Sequence, residues 1–407
     1  MKKYTAEEEN QLQAYKTAVD KELKAILDWW MSHIISIDQL KFNGAIDNTN
    51  QPIANASIGL VLQCRILWTF STAYSSTKNK TYLAFSNTIY TYLIKHFTDK
   101  VYGGYYWSVK QNGEPELDKK QIYGLAFAIY GLAAYYEASE NIEVLIKAEE
   151  LYHLIVAKSF DAINGGYIEC LQRDWSAIED MRLSNKDHNS IKSMNTHLHV
   201  IEAFTKLYSI NNNPAVAESI NSLLSVFLNH IIDPKEFQQH LFFTENWNST
   251  TSLVSFGHDI EASWLLYESA LVIGNLNLIE TFKDLAIKMT SVVAANRDID
   301  GALFNEYDVN SGILNKEKHW WPQAEAMVGF FNAFQLSNDS TFLAYSLESW
   351  NFISVKLKDN TYGEWYWGLN EEGKILDKEK AGFWKCPYHN SRACIEISTR
   401  IKNLLHQ

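Results

Sequence analysis

The chain has few of the residues that interrupt or cross-link a fold. Only six of its 407 residues are proline, and most stand near the boundaries of predicted elements, as Pro214 and Pro322 do. The four cysteines include no C-x-x-C pair, so we expect reduced thiols rather than a structural disulfide. No low-complexity linker divides the chain, and we therefore predict a single domain over residues 1–407.

The charge balance and the hydropathy argue against several partners. With 36 basic and 48 acidic residues, the formal net charge is -12, which disfavours a surface that follows phosphates, so nucleic acid is not an expected partner. No segment approaches the roughly 18 uncharged apolar residues that cross a bilayer. Acidic residues 7–9 stand where a signal peptide needs an apolar stretch, so we expect a cytoplasmic protein, free of membranes and monomeric.

Several catalytic and cofactor motifs are also missing. The chain has no G-x-x-x-x-G-K-[ST] or G-x-G-x-x-G phosphate cradle and no G-x-S-x-G segment for a serine triad. The turn at residues 296–301 resembles the start of a calcium loop, but Tyr307 stands where the bidentate glutamate should be. We therefore expect no cofactor.

What the chain does have is a long repeat. Six turn-rich aromatic segments, each followed by an amphipathic run, recur at spacings of 60, 62, 75, 60 and 62 residues. This period is too long for an ankyrin or tetratricopeptide unit, and it fits two helices and a small hairpin. The segments are centred on Gly44, Gly104, Gly166, Leu241, Gly301 and Gly363.

Each period combines two kinds of helical pattern. Residues 123–136 are apolar nearly all round, as expected for a helix enclosed by others, whereas residues 140–157 carry one apolar stripe. The same contrast recurs along the chain, and the N-terminal run 7–35 would lie opposite the C-terminal run 388–405. We therefore predict an all-α fold, an (α/α)6 barrel of six inner and six outer helices with short β-hairpins at the active-site end.

In such a barrel the inner helices all start at the same end, so the polar residues in their first turns converge. Three histidines, two carboxylates and two guanidiniums facing one funnel are difficult to explain by packing alone, and they indicate a catalytic site. The residues at these starts are Arg65, Tyr123, Asn195 with His199, His258 with Glu261, Trp321 with Glu325, and His389 with Arg392.

Two of these pairs share a spacing of three residues. His258 and Glu261 project from one helix face, so the carboxylate can orient the imidazole and hold its proton affinity up. His389 and Arg392 repeat that spacing. One such histidine is as often a satisfied helix-terminal residue as a functional one, but two on opposite sides of a barrel favour acid–base catalysis.

The residues of this funnel are compatible with two kinds of ligand, a metal ion and a sugar. A zinc ion would need three protein ligands with an open position, which His199, His258, Glu261 and His389 can in principle provide. No H-E-x-x-H or cysteine-based spacing is present, so we predict no metal. Aromatic rings beside a polar pocket suit the apolar faces of sugars, and Trp321 and Trp384 stand nearest the histidines.

Three segments and one arginine together resemble a known enzyme family. The segments are residues 193–203, 257–261 and 384–392, which read SMNTHLHVIEA, GHDIE and WKCPYHNSR, and the arginine is Arg65 in CRILW. This combination resembles the N-acylglucosamine 2-epimerase superfamily from about residue 25 to the C-terminus, and within it the branch that acts on cellobiose.

The resemblance implies an enzyme that inverts C2 of the reducing-end glucose of β-1,4-linked disaccharides. Cellobiose would become glucosyl-mannose and lactose would become epilactose, by ring opening, proton abstraction by histidine and a cis-enediolate intermediate. His258 and His389 would be the acid–base pair, with Glu261 supporting His258. The implied catalytic residues are His258, His389, Glu261, His199 and Arg65, and the implied substrate-binding residues are Tyr123, Asp187, Asn195, Trp321, Glu325, Trp384 and Arg392.

Three other interpretations stay open at this point. Protonation of the same intermediate at C1 gives a ketose, so an aldose–ketose isomerase similar to mannose isomerase would share the barrel and the histidines. A glycoside hydrolase would need two carboxylates that flank the scissile bond, such as Glu261 and Glu325, and would leave the histidines without a role. A sugar-binding module without catalysis would use the aromatic residues alone.

Overall fold

The computed structural model describes residues 5–36, 41–185 and 187–406, and twelve α-helices lie within these ranges. Six form an inner ring and six an outer ring, which confirms the predicted (α/α)6 barrel. The inner helices are α2 (Leu60–Thr77), α4 (Ile122–Ser139), α6 (Met194–Asn211), α8 (Phe256–Ile273), α10 (Trp320–Ser337) and α12 (Tyr388–Leu405). The outer helices are α1 (Ala6–His33), α3 (Lys80–Phe97), α5 (Ile142–Ser159), α7 (Pro214–Val226), α9 (Leu276–Ala295) and α11 (Ser340–Phe352).

Successive inner helices pack side by side, and α12 packs against both α2 and α1, which closes the ring. Short π-helical segments at Phe227–Ile231 and Ile353–Leu357 continue α7 and α11. The closed ring of inner helices is compatible with one domain. The assignment of residues 1–407 to a single domain stays a prediction. Across the described ranges, no helix combines the length and the apolar character needed to cross a membrane.

The inner helices approach one another closely because small residues face their neighbours. α4 is buried on nearly all sides. A Cβ atom added at Gly131 would lie 2.7 Å from the carbonyl oxygen of Cys64 on α2, so only glycine permits this contact. By contrast α5 buries a single stripe that includes Leu151 and Ile155, which leaves its other face to solvent.

The turn from each inner helix to the next outer helix repeats one pattern. A residue in the left-handed conformation ends the inner helix, and the side chain of an asparagine or aspartate then caps the outer helix by accepting a backbone N–H. Lys78 and Glu140 are two such left-handed ends, and Asn79 and Asn141 are the caps that follow them. Local sequence therefore fixes where the outer helices begin.

Within the described residues, fourteen short strands lie at the end of the barrel where the inner helices start, and all their pairings are antiparallel. The strand before an inner helix pairs with the first strand of the following repeat, so the small sheets link consecutive repeats around the rim. They are β1 (Ile35–Ser36), β2 (Lys41–Phe42), β3 (Ile58–Gly59), β4 (Ser108–Val109), β5 (Pro115–Leu117), β6 (Lys120–Gln121), β7 (Cys170–Leu171), β8 (Lys192–Ser193), β9 (Phe242–Phe243), β10 (Leu253–Ser255), β11 (Glu306–Asp308), β12 (Ile313–Asn315), β13 (Lys318–His319) and β14 (Gly368–Leu369).

Buried lysines attach these hairpins to the barrel through ion pairs. Lys120 Nζ lies 2.8 Å from Asp99 Oδ2, and Lys192 Nζ lies 2.7 Å from Asp161 Oδ2. The other oxygen of Asp99 accepts the backbone N–H groups of Val101 and Tyr102 in the turn. Lys120 also donates to the Gly103 carbonyl, and Lys192 to those of Gly165 and Glu245, so these ion pairs hold the rim in place around the mouth of the barrel.

His197 has a structural role at the start of α6. Its Nε2 accepts the backbone N–H of Tyr167 at 2.8 Å, and its Nδ1–H donates to the Ser193 carbonyl at 2.7 Å. Asp259 and Gln323, at the equivalent position of their helices, accept the N–H groups of Gln239 and Leu303. His197 therefore ties a hairpin to α6, and burial lowers its pKa to about 4.

The first inner helix starts earlier than predicted, at Leu60 rather than at Arg65. Gly59 precedes it without a side-chain cap, so no capping residue marked the start in the sequence. Arg65 consequently lies in the second helical turn and not in the first. All four cysteines are free and buried.

Candidate active site

The site residues form two layers at the mouth of the barrel. The entry layer consists of second or third residues of inner helices, and the floor layer consists of fifth or sixth residues, about one turn deeper. Residues three or four apart share a helix face, so each floor residue lies beneath the entry layer. The entry layer is Tyr123, Asn195, His258, Trp321 and His389, and the floor layer is Arg65, His199, Glu261, Glu325 and Arg392.

His389 is held by a carboxylate. Its Nδ1 lies 2.7 Å from Glu325 Oε1 and 3.9 Å from Glu261 Oε1. A carboxylate accepts the proton of Nδ1, which leaves Nε2 as the basic nitrogen of the neutral ring. Burial, followed by the nearby charges of Arg65 and Arg392, lowers the pKa of His389 well below its ordinary value. His389 is therefore a neutral imidazole in the form of a general base.

His258 has a hydroxyl partner instead. Its Nδ1 lies 2.7 Å from Ser255 Oγ, and its ring lies 4.6 Å from that of Trp321. Burial lowers the pKa of His258 to about 3, with smaller contributions from His199 and Arg65. The prediction that Glu261 orients His258 and holds its proton affinity up is therefore wrong.

Glu261 binds Arg392 rather than His258. The i, i+3 spacing places His258 and Glu261 on one face of α8, but it does not decide which neighbour the carboxylate contacts. Arg392 reaches across from α12 and provides a charged donor, which is a stronger partner than a neutral imidazole.

Arg392 lies within the protein rather than along a sugar-binding surface. Its side chain is 1% exposed. Nη1 donates to Glu202 Oε1 at 2.5 Å and to the Tyr388 hydroxyl, while Nη2 donates to Glu261 and, at 2.6 Å, to Glu325 Oε1. Since protein groups occupy both terminal nitrogens, the geometry favours a role for Arg392 through these carboxylates rather than in direct contact with substrate.

Glu202 is a member of the site that sequence reasoning missed. It accepts hydrogen bonds from His199 Nδ1 at 2.8 Å, from Arg392 and from the Tyr388 hydroxyl. Burial opposes its ionisation, but the charge of Arg392 and the hydrogen bond from His199 outweigh burial and lower the pKa of Glu202 to about 2. His199 and Glu202 have the same i, i+3 spacing as His258 and Glu261, and that spacing was the available signal.

Arg65 is a buried cation without a carboxylate partner among the described residues. Nη2 donates to the Tyr123 hydroxyl at 2.8 Å, and Nη1 lies 3.7 Å from Cys386 Sγ. The guanidinium also lies 4.2 Å from the centre of the Phe127 ring, and Nε has no hydrogen-bond partner. A buried, uncompensated positive charge favours an anionic oxygen in the pocket beside it.

Two tryptophans border the pocket on different sides. Trp321 lies between the histidines, with ring centres 4.6 Å from His258 and 5.6 Å from His389. Trp384 lies 6.1 Å from Tyr123, on the side of Arg65. Both are partly exposed, so their faces are open to a ligand, as the prediction of sugar stacking requires.

Asp187 and Asn195 line a separate small cavity next to the loop at residues 174–192. Asp187 Oδ2 accepts from the backbone N–H of Ser184 at 2.7 Å and from its hydroxyl at 2.8 Å. The Asn195 Oδ1 atom is buried without a partner, so it needs a donor from water or from a ligand. These two predicted substrate-binding residues lie together.

Glu261, Glu325 and His389 could share a metal ion, because one ligand atom of each lies within 4.8 Å of the others. This set differs from the four residues considered from the sequence. Arg392 already bridges the two carboxylates, and His389 Nδ1 is hydrogen-bonded to Glu325. The guanidinium of Arg392 thus compensates the negative charge that would otherwise attract a metal ion.

Two neutral histidines, each hydrogen-bonded at Nδ1, thus lie near a guanidinium that has no carboxylate partner among the described residues, an arrangement able to move protons next to a developing negative charge. The model of the N-acylglucosamine 2-epimerase (GlcNAc 2-epimerase) family matches residues 42–393. The chain belongs to this family, as the resemblance predicted, and it is an epimerase, an enzyme of the isomerase class.

Named relatives agree with this assignment. Cellobiose 2-epimerase of Bacteroides fragilis is 41% identical over 384 residues, which cover 94% of this chain and 98% of the relative. The structure of cellobiose 2-epimerase from Spirochaeta thermophila is 36% identical with a TM-score of 0.91, and the match covers 97% of this chain and 98% of that one. D-mannose isomerase of Marinomonas mediterranea is 26% identical over 360 residues, covering 83% of this chain and 86% of the relative.

Proposed function

We propose that this epimerase inverts C2 of the reducing-end glucose in β-1,4-linked disaccharides, converting cellobiose to glucosyl-mannose and lactose to epilactose. Relatives that are 41% and 38% identical bear the name cellobiose 2-epimerase. The observation that carries the chemistry is Arg65, a buried guanidinium without a carboxylate, near the neutral bases His258 and His389. This combination suits a neutral substrate that becomes an oxyanion during the reaction.

The reaction starts with the opening of the reducing-end ring. In the open form the C2 proton stands next to an aldehyde, so its removal gives a cis-enediolate with the negative charge on the C1 oxygen. A neutral histidine accepts this proton, and return of a proton to the opposite face of C2 inverts the centre. Each such transfer contributes on the order of 10² to 10⁴ in rate.

The two histidines suit the two transfers. His389 is the better proton acceptor, because Glu325 at its Nδ1 compensates for the charge that the ring acquires. His258 faces it across the Trp321 ring, takes up a solvent proton once the anionic enediolate has formed, and delivers that proton to the opposite face of C2, while His389 releases its proton to solvent. In the reverse direction, from mannose to glucose, the two histidines exchange roles.

Arg65 and His199 stabilise the enediolate. Arg65 offers charged donors in a buried pocket, where a hydrogen bond to an oxyanion is stronger than in water. His199 is held by the ionised Glu202 and packs against Tyr123, whose hydroxyl binds Arg65. Trp321 and Trp384 provide the aromatic faces for the sugar rings.

An aldose–ketose isomerase is the second candidate, since a relative 26% identical over 360 residues bears the name D-mannose isomerase. The hydrolase alternative is weaker. Glu261 and Glu325 both bind the same nitrogen, Nη2 of Arg392, so they lie together on the floor rather than on either side of a glycosidic bond.

Product identification separates these candidates. The protein is incubated with cellobiose, lactose and free mannose in parallel, and the products are identified by NMR. We expect glucosyl-mannose and epilactose, with no cleavage of either disaccharide. Ketose as the main product from free mannose would move the assignment to an isomerase, released glucose would move it to a hydrolase, and absence of any turnover would refute the proposal.

A further inference from the structure

The floor of the pocket holds three carboxylates around one guanidinium. Glu202, Glu261 and Glu325 come from three different inner helices, and all of them bind Arg392 of α12. All four side chains are almost fully buried. We refer to these residues as the carboxylate cluster. If every carboxyl were ionised, the cluster would carry an excess of negative charge in a buried site, which is costly.

The hydrogen bonds show that the three carboxyls are not equivalent. Glu202 accepts from three donors, namely His199, Arg392 and Tyr388. Glu325 also accepts from three groups, which are the His389 ring, Arg392 and the Trp264 indole. Several donors to one carboxylate stabilise its ionised form. They lower the pKa of Glu202 to about 2, whereas burial still raises the pKa of Glu325 despite its donors.

Glu261 has far fewer donors. Its Oε1 binds Arg392 Nη2, which it shares with Glu325, and it lies 3.9 Å from His389 Nδ1. Its Oε2 is buried and has no hydrogen-bond partner in the part of the chain that the structure describes. An ionised oxygen in that position would lose its hydration without compensation. Of the three carboxyl groups, that of Glu261 is therefore protonated at the lowest cost in free energy.

The charged groups that face Glu261 support the same assignment. They come from α4, α6, α10 and α12, and they are Tyr123, His199, Glu202, Glu325, His389 and Arg392. Burial, followed by the charge of Glu325, raises the pKa of Glu261 to about 7, against the opposing effect of Arg392.

We infer that Glu261 works as a neutral carboxylic acid whose Oε2–H donates a hydrogen bond to the oxyanion of the substrate. This assignment rests on the proposed epimerase function, and it makes Glu261 a catalytic residue in its own right rather than a support for His258. The proton stays on Glu261 throughout the reaction. In the free enzyme this O–H group has no protein acceptor, so the developing oxyanion supplies the missing partner, as in other sites that keep a carboxylic acid neutral.

Two substitutions at the same position test the inference. Glu261→Gln keeps a donor of similar shape without a charge, and Glu261→Leu fills a similar volume without a donor. We expect kcat for cellobiose to fall less than about tenfold in E261Q and about 10²-fold or more in E261L. Circular dichroism and Tm show whether each variant is folded. An E261Q loss as large as that of E261L would overturn the inference, as would full activity in E261L.

Infrared spectroscopy tests the proton without any turnover. The difference spectrum of the wild-type protein minus E261Q at neutral pH should contain the carbonyl stretch of a protonated carboxyl group. The exposed Glu371, replaced by Gln, is the matched control and should give only a carboxylate band. A carboxylate band from Glu261 without any carbonyl band would contradict the inference, even if the protein had no epimerase activity and the proposed function had failed separately.

Discussion

The α12 side and the α8 side of the pocket each present one histidine near the start of an inner helix, but they surround it differently. His389 on α12 is bound at Nδ1 by the carboxylate of Glu325, and His258 on α8 is bound at Nδ1 by the hydroxyl of Ser255. Burial lowers the pKa of both rings, so both are neutral at neutral pH. The partner of Nδ1 is what distinguishes them.

This difference assigns different capacities to two similar rings. A carboxylate fixes the tautomer and stabilises the imidazolium that forms when the ring takes a proton. A hydroxyl both donates and accepts, so Ser255 permits either tautomer of His258 but provides no compensating charge. Residues behind the histidines, rather than the histidines themselves, therefore decide how each side of the pocket handles a proton.

The largest expected effect follows from removing the carboxylate-bound histidine. His389→Asn should lower kcat for cellobiose by about 10³-fold or more, because the pocket loses its better base. His258→Asn should also abolish net epimerisation. However, it should still exchange the C2 proton of cellobiose in deuterium oxide, because His389 remains.

The control for this pair of variants is the reaction in reverse. With glucosyl-mannose as substrate the pattern should invert, and H389N rather than H258N should retain exchange. Loss of exchange in both variants with both substrates would mean that one histidine cannot act alone, and would contradict the assignment of one face to each ring.

The partners of Nδ1 should matter unequally. Glu325→Gln removes the charge behind His389, and we expect kcat to fall about 10²-fold. Ser255→Ala removes only a neutral partner, and we expect less than a tenfold loss. Steady-state kinetics with cellobiose measures both. A larger effect for S255A than for E325Q would reverse the distinction between the two sides.

The pH dependence should reflect the same groups. The neutral histidines have lowered pKa values, so kcat/KM should not fall as pH decreases through 6.5, the ordinary value for histidine. Glu261 has a raised pKa of about 7, and its protonated form is the active one, so activity should fall as pH rises through that value. The alkaline limb should be absent in E261Q. Its persistence there would assign the limb to another group.

The smallest effect on catalysis is expected at His197, two residues from His199. His197→Ala leaves the Tyr167 N–H without an acceptor, which costs about 1–3 kcal/mol of stability. Thermal unfolding should therefore show a lower Tm, while kcat measured well below that temperature should stay within about twofold. A large loss of kcat in folded H197A would place this histidine in the catalytic machinery.

The fold could be predicted from the sequence because its signals are local. The contrast between all-apolar residues 123–136 and the single stripe of residues 140–157 distinguished inner from outer helices, and the long period gave their number. The buried hairpin lysines were not predicted, although Asp99 with Lys120 and Asp359 with Lys380 repeat a 21-residue separation. This recurring Asp–Lys spacing could have predicted the buried ion pairs, which the repeat of apolar residues alone does not reveal.

The site could be predicted only in part, because its pairings cross between helices. Spacing within α8 predicted that His258 and Glu261 share one helix face, but the partner of Glu261 is Arg392 on α12. Likewise Glu325 contacts His389 from a different helix. A helical period shows which face a side chain occupies, and packing of the other helices decides what that side chain binds.

The central claim is that a proton leaves C2 and returns through neutral histidines, with an enediolate between the two steps. Incubation of the wild-type protein with cellobiose in deuterium oxide, followed by NMR, tests it most directly. We expect glucosyl-mannose that carries deuterium at C2, with label also appearing in the recovered cellobiose. Epimer that forms over many turnovers without any deuterium at C2 would contradict this mechanism.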